Sequence, residues 1–304
     1  MQKLNSLWRR ASLVCLALPL SLCAAQAQEW TPIQTAFGAV GTVLPGSVLH
    51  FDLVRSDISI TVNGQALDPA EIANGYVNFK FLQDGRYFAD GALPAQESEV
   101  PALSSALRTN AAVHISAVVN HTALETPKLL WVHFEATGSG SGLASDIAGG
   151  LATISNPQRN VTAVPVTVSE VPAPYQSLFS ASGGTITQIN GAVYEVVIPR
   201  PDEGNYHLGP VPASASLGVG VTFFAQPLTG NTVALNSEFA LDRAEVEDVI
   251  DALTKDGFKV PALHDHFLNE QKRLYFVHGF AVGDEDTLSS ALLSSLPPIY
   301  QKVH

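Results

Sequence analysis

The sequence predicts an α+β fold made of two tandem homologous repeats, each a mostly antiparallel β-sheet with two helices, related by a pseudo-twofold axis. Three observations support this prediction. Residue identities recur at a nearly constant offset, as from Arg55 to Arg200. Each copy contains short apolar segments typical of strands. Each copy also contains two segments with apolar residues at helical spacing. The predicted order within a repeat is β-β-β-α-β-β-α.

The internal repeat is the strongest signal in the chain. Asp57 recurs as Asp202 and His133 recurs as His278, all at the offset that joins Arg55 to Arg200. Because chance matches do not keep one offset across most of a chain, we infer a duplication. The predicted segments are a signal peptide over residues 1–27, a first repeat over 28–158, a linker over 159–174 and a second repeat over 175–304.

The predicted elements are clearest in the second repeat. Strands are expected over Ala192–Pro199, Gly218–Gln226, Thr232–Leu241, Phe258–Phe267 and Arg273–Val282. A helix after the third strand begins with Asp242 as its N-cap and ends at Gly257. A last helix carries apolar residues from Leu288 to Leu296 on one face. In the first repeat, we expect the corresponding last helix to begin after the glycine–serine run 138–142.

Composition and charge exclude several classes of protein. Hydrophobic residues make up 46% of the chain and charged residues 14%, which supplies a large core and excludes a disordered acidic protein. The formal net charge is -12 and the pI is about 5.1. Because no run dense in Lys or Arg follows the N-terminal segment, we expect no binding to nucleic acid or anionic lipid through a basic patch.

Residues 1–27 have the pattern of a secretory signal peptide. A positive end precedes an apolar stretch over residues 11–24, and Ala25-Gln26-Ala27 is a small-x-small cleavage site. The apolar stretch is shorter than the roughly 20 residues that span a bilayer. Leu22 is large for lipoprotein processing at Cys23. We therefore predict a periplasmic or secreted protein, cleaved near Ala27, with no membrane span in the mature chain.

The expected mature chain contains no sulfur. Both cysteines and the only methionine lie inside the predicted signal peptide. A disulfide, a thiol nucleophile and a thiolate metal ligand are therefore excluded from it. The sequence also lacks a Gly-x-Ser-x-Gly elbow and the glycine patterns of phosphate and dinucleotide sites. These absences argue against a serine or thiol hydrolase.

The main candidate site is a group of histidines in the second repeat. Residues two apart on a strand share a face, so His264 and His266 are expected to point the same way. A hairpin centred near Gln271 then places His264 opposite His278. We expect the three imidazoles to converge, with Glu270 as a fourth metal ligand or as a general base for water at the metal. Such ligands suit Zn²⁺ first, with Mn²⁺, Ni²⁺ or Fe²⁺ as alternatives.

The first repeat contains a poorer version of this group. His121, Glu125 and His133 keep the same spacing, and Glu135 shares the expected face with His133. Val119 stands where the second repeat has a further histidine. This second candidate site is therefore a weaker metal site, a relic or an acid/base pair.

Purely structural roles for the same histidines and for two arginines are alternatives to these hypotheses. Histidines on strands are usually hydrogen-bonded structural residues, and the spacing shared by both repeats also fits a hairpin that packs well. Arg55 and Arg200 each follow a strand two residues before an aspartate, so each is either ion-paired or a candidate anion-binding residue. The His264-x-His266-x3-Glu270 string also matches a cupin motif. We reject that fold, because a helix precedes the string and no second motif follows.

Four segments carry a family resemblance, namely Arg200–Asp202, Glu245–Leu253, Ala262–His266 and Leu274–Gly279. In them the chain resembles a bacterial family of unknown function that includes the LppY and LpqO lipoproteins of mycobacteria. The resemblance covers nearly the whole mature chain. It implies duplicated domains with an Ala-Leu-His-x-His stretch, a Glu four residues later and then a further His. Val119 and Lys272 depart from the pattern, and Val119 weakens any implication of two equal sites.

Two main functional hypotheses follow. The first is an exported metal-binding protein, with hydrolase or lyase activity as its extension. The second is a non-catalytic module that binds a small molecule or a cell-envelope partner in a cleft. Three histidine nitrogens around one point favour the first, and a wide apolar cleft with splayed rings favours the second. A third and weaker hypothesis is a purely structural envelope protein, for which we expect no concave pocket near either hairpin.

Overall fold

The computed structural model describes residues 30–155, 157, 159, 161–172, 176, 179–180 and 184–300. The predicted signal peptide lies outside these residues. Within them, both repeats contain runs of strands interrupted by a few helices, in agreement with the α+β prediction. No helix in this part of the chain is long and apolar enough to cross a membrane.

The first repeat contains nine strands and four helices among the described residues. Its strands are β1 (Thr42–Leu44), β2 (Val48–Val54), β3 (Ile60–Val62), β4 (Gln65–Leu67), β5 (Asn74–Phe81), β6 (Tyr87–Gln96), β7 (Val113–Val119), β8 (Glu125–Thr126) and β9 (Leu129–Gly138). Its helices are α1 (30–37), α2 (Pro69–Ile72), α3 (Val100–Leu107) and α4 (Gly140–Leu151).

The second half repeats this order. Its strands are β10 (Ala163–Pro165), β11 (Thr185–Ile189), β12 (Val193–Pro199), β13 (His207–Leu208), β14 (Val211–Pro212), β15 (Gly220–Pro227), β16 (Thr232–Leu241), β17 (Lys259–His264), β18 (Glu270–Gln271) and β19 (Tyr275–Asp284). Its helices are α5 (Val246–Lys255) and α6 (Glu285–Ser294), with short 3₁₀ turns at Val168–Glu170, Glu203–Asn205 and Ala215–Leu217. Residues 176, 179 and 180 are also helical.

Each repeat forms one large antiparallel sheet, and the two strand orders correspond except for an added edge strand, β10, in the second. The first sheet runs β1-β2-β5-β6-β9-β7, and the second runs β10-β11-β12-β15-β16-β19-β17. A small three-stranded sheet accompanies each of them, β4-β3-β8 in the first repeat and β14-β13-β18 in the second. The duplicated α+β prediction is confirmed. The structure adds α1, the outer strands and the small sheets to the predicted plan. The segment predicted as a linker contains β10, which pairs with β11.

Side chains alternate between the two faces of each sheet, and the two faces have different partners. Leu49 and Phe51 of β2 belong to a buried apolar cluster that also contains residues of α1, α3 and α4. Val196 of β12 belongs to the equivalent cluster, which contains residues of α5 and α6. One face of each sheet is thus covered by its own helices.

The opposite faces of the two sheets pack against each other. Trp131 of β9 and Phe280 of β19 share one buried cluster, although they come from different repeats. The side chain of Asn236 on β16 donates a 3.1 Å hydrogen bond to the backbone carbonyl of Glu71. The molecule is therefore a four-layer sandwich of helices, sheet, sheet and helices. Polar residues on the inner sheet faces meet between the repeats.

The predicted start of α5 at Asp242 is wrong, because the helix begins at Val246. Asp242 lies in a preceding turn, where its N–H donates to the Glu245 carboxylate at 2.7 Å. Its own carboxylate forms an ion pair with Lys272 at 3.0 Å. Both contacts hold Asp242 outside the helix, and Glu245 takes the N-cap position.

The helix α4 also begins earlier than predicted, at Gly140 inside the glycine–serine run. A Cβ atom at this position would lie 2.7 Å from side-chain atoms of both Ile33 and Tyr87. Glycine therefore serves close packing here, and the run is not a flexible lead into the helix.

Candidate metal centre between the repeats

Five buried or half-buried histidines from both repeats form one cluster, which we call the histidine cluster. His133 lies on β9, His264 ends β17 and His278 lies on β19. His121 and His266 occupy equivalent positions in the loops after β7 and β17. The structure brings together the three histidines predicted in the second repeat and adds two from the first. The two candidate sites predicted separately are one site.

The distances between ring nitrogens are short. The Nε2 atoms of His121 and His133 lie 2.9 Å apart, and those of His264 and His278 lie 3.0 Å apart. Two groups of three histidines each have ligand nitrogens within 4.8 Å of one another, namely His121, His133 and His264, and His264, His266 and His278. Nitrogens bound to one tetrahedral Zn²⁺ lie roughly 3.3 Å apart. The cluster therefore has dimensions close to those of a metal site.

The predicted register of the second-repeat hairpin is wrong by two residues. Ala262, and not His264, is paired with His278, and His264 is paired with Phe276. His266 lies beyond the end of β17. A shift of two residues keeps every side chain on its original face of the sheet. The rings therefore still converge, although the pairing differs from the expectation.

Ring stacking in the cluster follows the pseudo-twofold relation. His121 stacks on His278 with ring centroids 3.7 Å apart. The equivalent pair, His266 and His133, is in contact with centroids 4.4 Å apart, but its rings are tilted by 36°. The outer neighbours are equivalent too, because Trp131 stacks on His121 at 4.4 Å and Phe276 stacks on His266 at 3.5 Å. Two aromatic rings thus hold the outer imidazoles in place.

His266 has the least satisfied side chain of the cluster. It is 2% exposed, and neither of its ring nitrogens has a hydrogen-bond partner among the described residues. The Glu238 carboxylate is 3.5 Å from its Nε2 atom. A buried polar group without a partner is costly, and in native proteins it usually indicates an unseen ion, water or function.

Glu238 is the carboxylate of the site, and the sequence interpretation missed it. Its Oε2 atom lies 3.3 Å from Nε2 of His278, and His121, Glu238 and His278 form a third group of potential ligands within 4.8 Å. On β16 it is paired with His278, whereas Ala92 is paired with His133 in the first repeat. The single charged residue of the mostly buried strand Thr232–Leu241 was the available signal.

Burial determines the charge state of the cluster. It lowers the pKa of His121, His133, His266 and His278 well below the usual value, and neighbouring histidines lower these pKa values further. Burial also lowers the pKa of His264 to about 4. The imidazoles are therefore neutral at pH 7, which is the form that binds metals. Burial raises the pKa of Glu238 to about 8.

The structure places Glu270 and Glu125 outside the cluster, so their predicted roles as ligands or base are not supported. The Glu270 carboxylate accepts a 3.1 Å hydrogen bond from the N–H of Leu274. Glu125 accepts the equivalent bond from the N–H of Leu129, also at 3.1 Å. Their shared spacing therefore reflects a conserved turn geometry in the two hairpins, as the structural interpretation proposed.

Glu135, predicted to share a metal or acid/base site with His133, instead connects the two repeats. Its carboxylate accepts hydrogen bonds from the N–H of Leu268 and from the side-chain amide of Asn269. Both donors belong to the turn that follows His264 and His266. Glu135 is thus a buried positioning residue for the second-repeat loop.

Arg55 and Arg200 are buried ion-pair centres, and the candidate anion-binding role is wrong for both. Arg55 is fully buried, and its guanidinium donates to Asp57, Glu99 and the carbonyl of Pro94. Arg200 pairs with Asp202 at 2.7 Å and with Glu245 at 2.7 Å. Because these donors are engaged by carboxylates, neither guanidinium is open to a free anion.

A cavity of about 630 Å³ lies between the inner faces of the two sheets. His121, His278 and Glu238 of the site are among its lining residues. Trp131 and Phe224 add aromatic surface to its wall. This volume is in the range of small-molecule sites. A concave pocket therefore adjoins the site, which the purely structural hypothesis did not expect.

A family model described as "Domain of Unknown Function (DUF1259)" matches the chain twice, over residues 31–153 and 178–297. The two matches correspond to the two repeats. Comparison with curated proteins gave no match, and comparison with solved structures gave none.

Proposed function

The chain belongs to this DUF1259 family, and we propose that it is an exported protein whose histidine cluster binds one divalent transition-metal ion. The observation that carries this proposal is His266, a buried imidazole without a hydrogen-bond partner that stands beside four other histidines and a carboxylate. Hydrogen bonds pair the Nε2 atoms of the other four histidines, but they leave both ring nitrogens of His266 without a partner among the described residues. An ion would give one of the two unpartnered nitrogens of His266 a bonding partner.

Zinc is the first candidate for this ion. The donors are imidazole nitrogens and one carboxylate oxygen, which suit Zn²⁺, Ni²⁺, Mn²⁺ and Fe²⁺. Zn²⁺ commonly takes three protein ligands when a position stays open for a substrate. His264, His266 and His278 form one such group, and His121 with Glu238 lies on the cavity side.

Hydrolase or lyase chemistry is the proposed activity. A divalent ion supplies Lewis-acid polarisation of a carbonyl or phosphoryl oxygen. Glu238 is the residue of this chain placed to exchange a proton with a bound molecule, because its carboxyl group lines the cavity and lies 3.3 Å from His278. Trp131 and the inner sheet faces shield the site from bulk water.

A non-catalytic binding module is the second candidate, and the cavity favours it. A chamber of about 630 Å³ between two repeats suits a small molecule whether or not a reaction follows. Turnover distinguishes the two functions. In a binding module, a bound molecule would be recovered unchanged after incubation with the metal-loaded protein.

Export rests on the sequence of residues 1–27 and on the resemblance to envelope lipoproteins. We propose a periplasmic or secreted location after cleavage near Ala27. Fractionation of the native host, with mass determination of the mature N-terminus, tests this location. A full-length chain recovered from the cytoplasm would contradict it.

The decisive experiment is a metal inventory of untagged protein beside His266→Ala. We expect about one equivalent of metal in the wild type and a large loss in the variant. His114→Ala is the matched control, because His114 is exposed and outside the cluster. If the wild type carries no metal and its unfolding midpoint does not change with Zn²⁺, Mn²⁺ or Ni²⁺, the proposal fails.

A further inference from the structure

We propose that the cavity between the repeats binds a small organic cation carrying a primary ammonium group, and that this cation is the substrate or ligand class of the metal site. This inference rests on the proposed function for its reference to the metal. The binding of the cation itself is independent of the metal. It follows from the charges, the unpaired acceptors and the shape of the cavity.

The cavity wall carries carboxyl groups from both repeats and one cationic group, the His50 imidazole, where burial opposes protonation but the nearby charge of Asp52 raises the pKa to about 9. Its acidic lining residues are Asp52, Glu71, Glu195, Glu203 and Glu238. None of the described residues that line it is a Lys or an Arg. A cleft in which acidic groups outnumber cationic ones favours ligands of positive charge. Anionic substrates are therefore disfavoured, and cations are favoured.

The cavity wall contains hydrogen-bond acceptors without partners among the described residues, which favours a ligand with N–H donors. Glu71 is 1% exposed, and neither oxygen of its carboxylate has a hydrogen-bond partner among the described residues. The Oδ1 atom of Asn74 is also buried without one. A primary ammonium offers three donors, whereas a quaternary ammonium offers none. The acceptors thus favour a primary amine among organic cations.

The strongest concentration of charge lies where the two repeats face each other. His50 on β2 and Glu195 on β12 occupy equivalent positions in the duplication, and both line the cavity. Burial and the nearby charge of Asp52 raise the pKa of Glu195 to about 7. His50 is 3.4 Å from Asp52 and is the nearest cationic group. The His50 imidazolium is paired with Asp52, whereas Glu195 has no ion pair among the described residues, so an ammonium bound beside Glu195 would favour its ionised form.

The same cavity is also lined by residues of the histidine cluster. His121, His278 and Glu238 line it together with Asp52 and Glu195. A molecule held by its ammonium near Glu195 therefore shares one chamber with the histidine cluster. The aromatic rings of Trp131 and Phe224 provide apolar contact for a short carbon chain.

Calorimetric titration of the full chain with three matched probes tests this proposal. The probes are butane-1,4-diamine, butane-1,4-diol and succinate, which share a carbon chain and differ in charge. We expect the diamine to bind at least about tenfold more tightly than the diol, and succinate not to bind. Equal binding of the diol or of succinate, or no binding of the diamine at millimolar concentration, would overturn the inference.

Two cavity variants and one control locate the binding. Glu195→Gln should weaken diamine binding at least about tenfold, and the exposed-site control Glu247→Gln should not. Thr222→Lys introduces an ammonium into the wall and should abolish diamine binding while the fold is retained, which covers the case in which Glu195→Gln does not fold. Diamine binding that both cavity variants leave unchanged contradicts the proposed site.

Metal content measured on the same samples separates the two proposals. If the diamine binds and no metal does, the metal proposal fails and the cation site stands. If metal binds and the diamine does not, the cation site fails and the metal proposal stands.

Discussion

The imidazole of His121 in the first repeat stacks on that of His278 in the second, with ring centroids 3.7 Å apart. This contact joins the two halves of the duplicated chain within the histidine cluster. Neither repeat carries the whole set of potential ligands. The metal affinity should therefore depend equally on residues that lie far apart in sequence.

We predict that His121→Ala lowers zinc affinity as much as His278→Ala does. Each change should cost at least about tenfold to hundredfold, the range known for residues that only support ligands. Competition with a chromogenic chelator measures this affinity. A site confined to the second repeat would instead lose affinity only with His278→Ala.

His266→Phe should separate metal binding from packing. In metal-free protein, the phenyl ring keeps the stacking on Phe276 and removes two buried nitrogens without partners, so we expect unfolding free energy to rise by about 1 kcal/mol. When Zn²⁺ is added, the unfolding free energy of the wild type should exceed that of the variant, because only the wild type has the complete set of ligands for the ion. Denaturant unfolding with and without Zn²⁺ measures both effects. A metal-free variant less stable than the wild type would indicate a hydrogen-bonded structural histidine.

Glu135→Ala should loosen the turn that follows His264 and His266. The variant removes the acceptor for Leu268 and Asn269, and a hydrogen bond to a charged group contributes about 1.5–3 kcal/mol. Hydrogen exchange at Leu268 should accelerate, and zinc affinity should fall although no ligand is removed. Unchanged exchange at this amide would show that Glu135 does not position the loop.

The ion pair between Arg55 and Glu99 should make the unfolding free energy depend on pH in the acid range. Burial opposes ionisation, but the hydrogen bonds from Arg55 lower the pKa of Glu99 from 4.5 to about 2. The stabilisation is therefore fully present above pH 4.5 and is lost as the pH falls toward 2. We expect Glu99→Gln to lower the unfolding free energy by about 1–2 kcal/mol at pH 7, after allowance for solvent screening.

The difference between Glu99→Gln and the wild type should narrow at acidic pH, because the wild-type carboxylate becomes protonated. Chemical denaturation across the acid range measures this effect. Glu97→Gln is the control, since Glu97 is exposed and lies 3.7 Å from an exposed Lys128. A difference that stays constant down to pH 2 would contradict the assignment.

Two glycines of α4 should respond to alanine in opposite directions. A Cβ at Gly140 would lie 2.7 Å from Ile33 and Tyr87, so Gly140→Ala should destabilise the protein by about 1–3 kcal/mol. A Cβ at Gly149 meets nothing within 4 Å, so Gly149→Ala should stabilise it by up to about 1 kcal/mol. Thermal unfolding of the two variants checks the pair, and destabilisation by both would show that packing at Gly140 is not the cause.

The fold was predictable because the duplication and the hydrophobic periodicity can both be recognised in the sequence without knowledge of tertiary contacts. The strand predicted over Thr232–Leu241 has the same bounds as β16. Alternation also placed the histidines on a common face, and that result survived a two-residue error in register. The start of α5 was not predictable, because side-chain contacts of Asp242 with Lys272 decide it.

The complete site was not predictable, because it forms between two sheets whose packing no local pattern specifies. Glu270 lies close to the histidines in sequence, but its carboxylate accepts a hydrogen bond from the N–H of Leu274 and does not join the cluster. Glu238 is distant in sequence and is brought beside His278 by strand pairing. The polar character of a residue inside a buried strand was the better guide to the site.

The cavity is not as symmetric as the duplication that formed it. Glu238 occupies a strand position that Ala92 occupies in the first repeat, and both residues line the cavity. A molecule inside therefore meets a carboxylate on one side and a methyl group on the other. Two identical halves would accept it in either of two reversed orientations. Divergence at this position, and at the equivalent positions of His50 and Glu195, gives the chamber a direction.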